Sequence, residues 1–132
     1  MSYRSTRRQW VKLWVNEWLD GTTRFELTPE QRAIWIDLLA LGGRSRFPGI
    51  IAAGKRNGRY LGYPLEWLGG QVISDLTLFR DTLDLLVHLG NIQVEIDEGK
   101  YTILLLNWEK YQSEYLRQRR YRKQGVTAEV TS

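Results

Sequence analysis

"DLTLFRDTLDLLVHLGNIQVEIDEGKYTILLLNW", residues 75–108, decides how this chain is read. Its first half repeats apolar residues at helical spacing, with Leu76, Phe79, Leu83 and Leu86 on one buried stripe. Ser74 or Thr77 is expected to cap that helix, and Gly90 to end it. The period then changes. Ile92, Val94 and Ile96 alternate with Gln93, Glu95 and Asp97, the pattern of a half-buried strand. "DEGK" supplies a turn with Gly99 free to take positive φ, and residues 101–106 return as a second strand. A helix followed by a two-stranded hairpin is the frame for everything else.

Upstream, "PLEWLGGQVI" reads as a partner helix opened by Pro64, with Leu65, Leu68, Val72 and Ile73 facing inward. Gly69 and Gly70 weaken it by about 1 kcal/mol each relative to alanine, or end it early. "LTPEQRAIWIDLLALGG" is the clearest helix. Thr28 caps it, Pro29 takes the first helical position, and Gln31 completes the capping-box spacing. Ile34, Leu38 and Leu41 form its stripe, widened by Trp35 and Leu39, and Gly42-Gly43 is expected to stop it. Between these helices, residues 44–64 read as an irregular connection around one short apolar run, Ile50 to Ala53, a candidate strand, with a basic turn at "KRNG". "QWVKLWVNEWLDG" at the start fits a helical face and a strand equally well, and a short strand leading into a helical turn satisfies both. "NWEKYQSEYLRQRRYRKQ" at the other end reads as a helix, with Trp108, Tyr111 and Tyr115 on one face and cations at its C-terminal end.

The expected class is therefore α+β, mainly helical. Helix, short strand, helix, turn, helix and hairpin is the connectivity of a winged helix-turn-helix, with residues 92–106 as the wing and a basic helix after it. Residues 1–124 make one domain, with a basic arm at 1–9 and a basic helix at 108–124. Residues 125–132 are a flexible tail or the start of a linker.

Composition narrows the function. The chain has 132 residues, is 42% hydrophobic and has six Trp, enough for a real core. It has no cysteine, hence no disulfide, thiolate metal site or thiol nucleophile, which suits a reducing compartment. No leader-like apolar segment opens it and no run approaches a membrane span, so a soluble protein of the cytoplasm is expected. The net charge is +4, but its distribution says more. Residues 1–12 carry Arg4, Arg7, Arg8 and Lys12. Residues 44–60 carry Arg44, Arg46, Lys55, Arg56 and Arg59. Residues 117–123 carry Arg117, Arg119, Arg120, Arg122 and Lys123. These windows hold fourteen of the 19 basic residues and none of the 15 acids. Such segregation is the footprint of a polyanion binder, although charged loops also serve simply to stay wet.

The helix expected to read a groove, residues 75–89, sits badly with that role. It carries Asp75, Asp81 and Asp84 against Arg80 alone, and the wing tip has Asp97 and Glu98 beside Lys100. Thr77 and Arg80 are its candidates for base contact, but acids beside them repel phosphate. The three basic segments are better candidates for DNA, and Tyr60, Tyr115 and Tyr121, next to arginines, for stacking on bases. The tryptophans are expected mainly in the core. "GKRNGRYLGY" lacks the phosphate-loop pattern. With one histidine, His88, and no cysteine, neither a transition-metal site nor a cofactor is expected, and no acid–base pair suggests an enzyme.

"WVKLWVNEWLDG" with "LTPEQRAIWIDLLALGGRSRFPGII", and the closing "ILLLNWEKYQSEYLRQRRYRKQGVTAEVT", resemble the N-terminal domains of phage and prophage replication-initiation proteins, the replisome organisers, related in architecture to DnaD-like primosomal proteins. The resemblance covers nearly the whole chain, and its two ends are the more specific part. It implies a winged-helix domain acting on origin DNA, double- or single-stranded, in the cytoplasm of a bacterial host cell. It also implies a linker, expected to begin at residues 125–132, and a C-terminal part that recruits the replicative helicase or its loader. Two other readings stay open. One is a protein-interaction module of a replication complex that forms homo-oligomers or docks a partner through its acidic helix. The other is a winged-helix transcriptional regulator.

Overall fold

A computed structural model describes residues 10–112. An irregular lead from Trp10 enters two short helices, α1 (Val15–Asp20) and α2 (Thr22–Glu26), and then the long α3 (Pro29–Arg44). Of the two features expected at the start, the helical turn forms and the strand does not. The Thr28 side chain accepts the Gln31 N–H at 3.2 Å, and the Gln31 side chain accepts the Thr28 N–H at 2.9 Å, so the capping box satisfies both orphan donors.

α3 does not stop at Gly42-Gly43. Both glycines are buried inside the helix, which runs on to Arg44. A Cβ on Gly42 would collide with the Leu105 side chain. The glycine therefore lets the helix backbone press against a strand, and packing decides where helical propensity alone predicts an end.

Residues 44–64 are more ordered than expected. They form β1 (Ile50–Ile51), β2 (Gly54–Arg56), β3 (Arg59–Leu61) and β4 (Tyr63–Pro64). Then come α4 (Leu65–Gln71), α5 (Leu76–His88), β5 (Ile92–Asp97), β6 (Lys100–Leu105) and α6 (Trp108–Gln112). β6 is the centre of the main sheet. β5 pairs along its whole length, from Ile92↔Leu105 to Asp97↔Lys100. That leaves one free edge, which β1 and β4 share: Ile50↔Leu104 and Ile51↔Ile103, then Tyr63↔Tyr101 and Pro64↔Lys100. The chain between them, residues 52–62, is thrown out as the β2–β3 hairpin. Gly62 permits its return, because a Cβ there would lie 2.6 Å from the Tyr101 backbone. The result is an α+β fold in which helix covers about half of the described residues.

The core joins Ile34 and Leu38 of α3, Leu65 and Leu68 of α4, Phe79, Leu83 and Leu86 of α5, and Ile92, Ile103 and Leu105 of the sheet. Leu65, Leu68 and Val72 face inward as read from the sequence. Ile73 does not: it is 92% exposed and sits at φ +50. Leu76 is at the edge of the stripe, 36% exposed, with its side chain against Gly69 of α4. The cap of α5 is neither Ser74 nor Thr77 but Asp75, whose carboxylate accepts the Leu78 N–H at 2.8 Å. Gly90, at φ +80, follows the helix as expected. A β-branched side chain in the left-handed region, with no contact in return, costs stability. Ile73→Asn, which tolerates that region, is expected to raise the unfolding free energy by roughly 0.5–1 kcal/mol. Urea denaturation checks this; an unchanged or lower midpoint would show that Ile73 carries no net strain.

Gln112 ties the two ends of the described chain together. Its Oε1 accepts the Lys12 N–H at 2.7 Å and its Nε2 donates to the Lys12 carbonyl at 2.9 Å. Trp14 Nε1 donates to the Tyr111 carbonyl at 2.9 Å, and the two rings meet edge to face. Among the described residues no helix is long and apolar enough to cross a membrane.

Candidate nucleic-acid interface

The basic window 44–60 becomes one structural unit. Arg44 ends α3. Ser45 closes the next turn, its Oγ donating to the Ile50 carbonyl at 2.6 Å and accepting the Phe47 N–H at 3.0 Å. Gly49, at φ +81, lies so close to the Trp108 ring that a Cβ would approach within 2.5 Å. The turn that presents Arg46 is thereby clamped to α3 and α6.

A ladder of rings and cations joins this turn to the hairpin. The Arg46 guanidinium lies 5.7 Å from the Phe47 ring centre, Phe47 meets Tyr60 edge-on at 5.3 Å, and Lys55 Nζ lies 5.0 Å from the Tyr60 ring centre. Tyr60, expected as a stacking residue, is half-buried in this ladder. Cross-strand pairs in the hairpin are Lys55↔Tyr60 and Arg56↔Arg59. Asn57 (φ +51) and Gly58 (φ +78) form the two-residue turn between them. That dipeptide is the sequence signal from which this hairpin is legible.

Directly opposed residues share a face of the ladder, so Arg56 and Arg59 stand side by side. Like charges in that position destabilise a hairpin. Among the described residues Arg59 has one counter-ion, Asp97 of the β5–β6 tip, at 3.5 Å with both side chains well exposed, an arrangement that relieves little. All five cations of the window are exposed.

Beside this unit lies a cleft of about 290 Å³. Arg44, Arg46, Tyr63 and Trp67 are among its lining, and no acid is. The Tyr63 and Trp67 rings stack at 4.0 Å with 10° between their planes. Sequence reasoning missed this pair because it straddles the β4–α4 junction. The signal was there: Pro64 starts the helix, so positions 63 and 67 fall about one turn apart. The tryptophans in general are less buried than expected, and among the described residues none belongs to the fully buried core. Trp14, Trp18, Trp35, Trp108 and Tyr111 line a second cleft of about 210 Å³.

α5 presents Thr77 and Arg80 to solvent, with Asp81 and Asp84 exposed on the same helix. Asp75 caps the helix but keeps its charge and is exposed, so all three acids oppose phosphate there. Among the described residues no hydrogen bond or ion pair joins Thr77 or Arg80 to the 44–60 unit. Arg4, Arg7, Arg8, Arg117, Arg119, Arg120, Arg122 and Lys123, with Tyr115 and Tyr121, lie outside the described residues. The chain nevertheless enters and leaves the described body side by side, at Lys12 and Gln112. No family model, no curated protein and no solved structure matches this chain.

Proposed function

We propose that this chain is a winged-helix DNA-binding domain of a phage-type replication initiator, holding DNA mainly by phosphate contacts from its basic segments. The observation that carries the DNA reading is the acid-free 44–60 unit, where Arg56 and Arg59 are held side by side and, among the described residues, only Arg59 has a counter-ion, a weak one. A polyanion turns that repulsion into attraction. The winged-helix reading is supported by the order α3, β1, α4, α5, β5, β6 with β1 and β5 flanking β6. The resemblance of the two chain ends supports the replication role. Binding of this kind fixes position without reading bases and weakens steeply with salt. Any sequence preference comes from Thr77 and Arg80 or from DNA shape.

The test is fluorescence anisotropy of labelled duplex across a salt series, comparing residues 1–132 with a chain ending at Leu116. Removing the five cations of 117–123 is expected to flatten the slope of log K against log salt by several units, at ~0.9 per lost phosphate contact. Equal slopes would make that segment passive. No binding by either chain at low salt would sink the DNA reading.

The exposed acids Asp81 and Asp84 favour one alternative, in which α5 meets a protein. The mass of the chain in solution without DNA separates self-association from this proposal.

A further inference from the structure

We infer that the Arg44–Arg46–Tyr63–Trp67 cleft seats an unpaired nucleotide, so that the domain prefers DNA with single-stranded bases to blunt duplex. The inference rests on the nucleic-acid reading above and goes beyond it by naming the form of the ligand.

The first ground is the ring pair. α4 turns Leu65 and Leu68 into the core, and this sends Trp67 to the opposite side, where it is 39% exposed. Its stacking on Tyr63 holds both rings flat and in register. Every base has a π face, so such a platform accepts any base without reading it, at about 1–3 kcal/mol per stacked base. A base inside a duplex has both faces covered by its neighbours, whereas an unpaired one is free to enter the cleft and extend the stack.

The second ground is charge. Arg44 and Arg46 line the same cleft, and among the described residues neither forms an ion pair. Arg44 donates a long hydrogen bond, 3.4 Å, to the neutral side chain of Gln71, which does not neutralise it. Guanidinium groups bind phosphate through paired N–H donors. The third ground is size. About 290 Å³ is at the small end of ligand pockets, which suits one planar unit rather than a folded peptide. Aromatic rings and arginine are also what a protein partner seeks, but a small cleft with no acid and two guanidiniums without a counter-ion among the described residues matches a base and its phosphate better.

The experiment uses the full chain and three labelled probes: blunt duplex, the same duplex with a thymine 3′ extension, and oligothymidine. Trp67→Ala is expected to weaken binding about tenfold to the two probes with unpaired bases and to leave blunt duplex unchanged. Trp67→Phe, which keeps a ring, is expected to recover most of the loss. A loss of the same size on all three probes, or no loss, overturns the inference while leaving the DNA reading intact. Absence of binding to every probe by the unaltered chain overturns both. A second readout does not depend on variants folding. With 5-iodouracil in the extension, photocrosslinks are expected on Tyr63 or Trp67, and crosslinks confined to other segments would overturn the inference.

Discussion

Phe79→Ala is expected to lower the unfolding free energy by about 3–5 kcal/mol, the range for emptying a fully buried aromatic site. Phe79 is 0% exposed and lies in the cluster where α3, α4, α5 and the sheet meet. Its ring also lies against the Gly69 position of α4, so its loss loosens the joint between the two helices. Domains of this size are stable by roughly 5–15 kcal/mol, and the substitution therefore removes a large share of the total. Urea denaturation followed by circular dichroism measures it. The control is Leu76→Ala. By periodicity alone, Leu76 belongs to the same stripe, yet it sits at the edge of it, and its removal should cost far less. Equal losses at the two positions would mean that Phe79 is no more central to the core than Leu76.

Those two residues show where sequence reading works and where it fails. Periodicity finds the middle of α5 because three of its stripe residues meet the core. It fails at the first turn, where Leu76 sits at the rim of the core, 36% exposed, with only one side of its side chain against Gly69 of α4. The start of α3 is legible because Thr28 and Gln31 satisfy each other locally. Its end is not, because Gly42 answers to Leu105, a residue of β6 far along the chain. The β5–β6 hairpin is legible because six-residue strands are long enough to show alternation. β2 and β3, at three residues each, are not, and only Asn57-Gly58 betrays them. Ser74 and Asp75 are both good caps, so propensity cannot choose between adjacent positions at the start of α5. For the candidate site, the cations of 44–60 are visible as a charge pattern. Their pairing across a hairpin, and the Tyr63–Trp67 platform beside them, depend on which residues the edge of β6 holds together.

The largest expected effect on binding follows from that pairing. Replacing Arg56 and Arg59 together with alanine is expected to weaken duplex binding roughly 30- to 100-fold at about 0.1 M salt and to make the salt slope shallower by about 2. The same change should not harm the fold. The two guanidiniums repel each other across the turn, and the Asp97 contact that Arg59 gives up is exposed and worth little. Function and stability are thus expected to move in opposite directions, with the double variant as stable as the original or slightly more so. A purely solvating role for these arginines predicts the reverse: unchanged affinity and slope. Titration of labelled duplex at several salt concentrations, beside urea denaturation of the same preparations, distinguishes the two. If affinity holds while stability falls, Arg56 and Arg59 belong to the scaffold, and phosphate contact must be sought at Arg44, Arg46 and Lys55. If affinity falls with the slope and stability is kept, the hairpin thrown out between β1 and β4 is a phosphate grip.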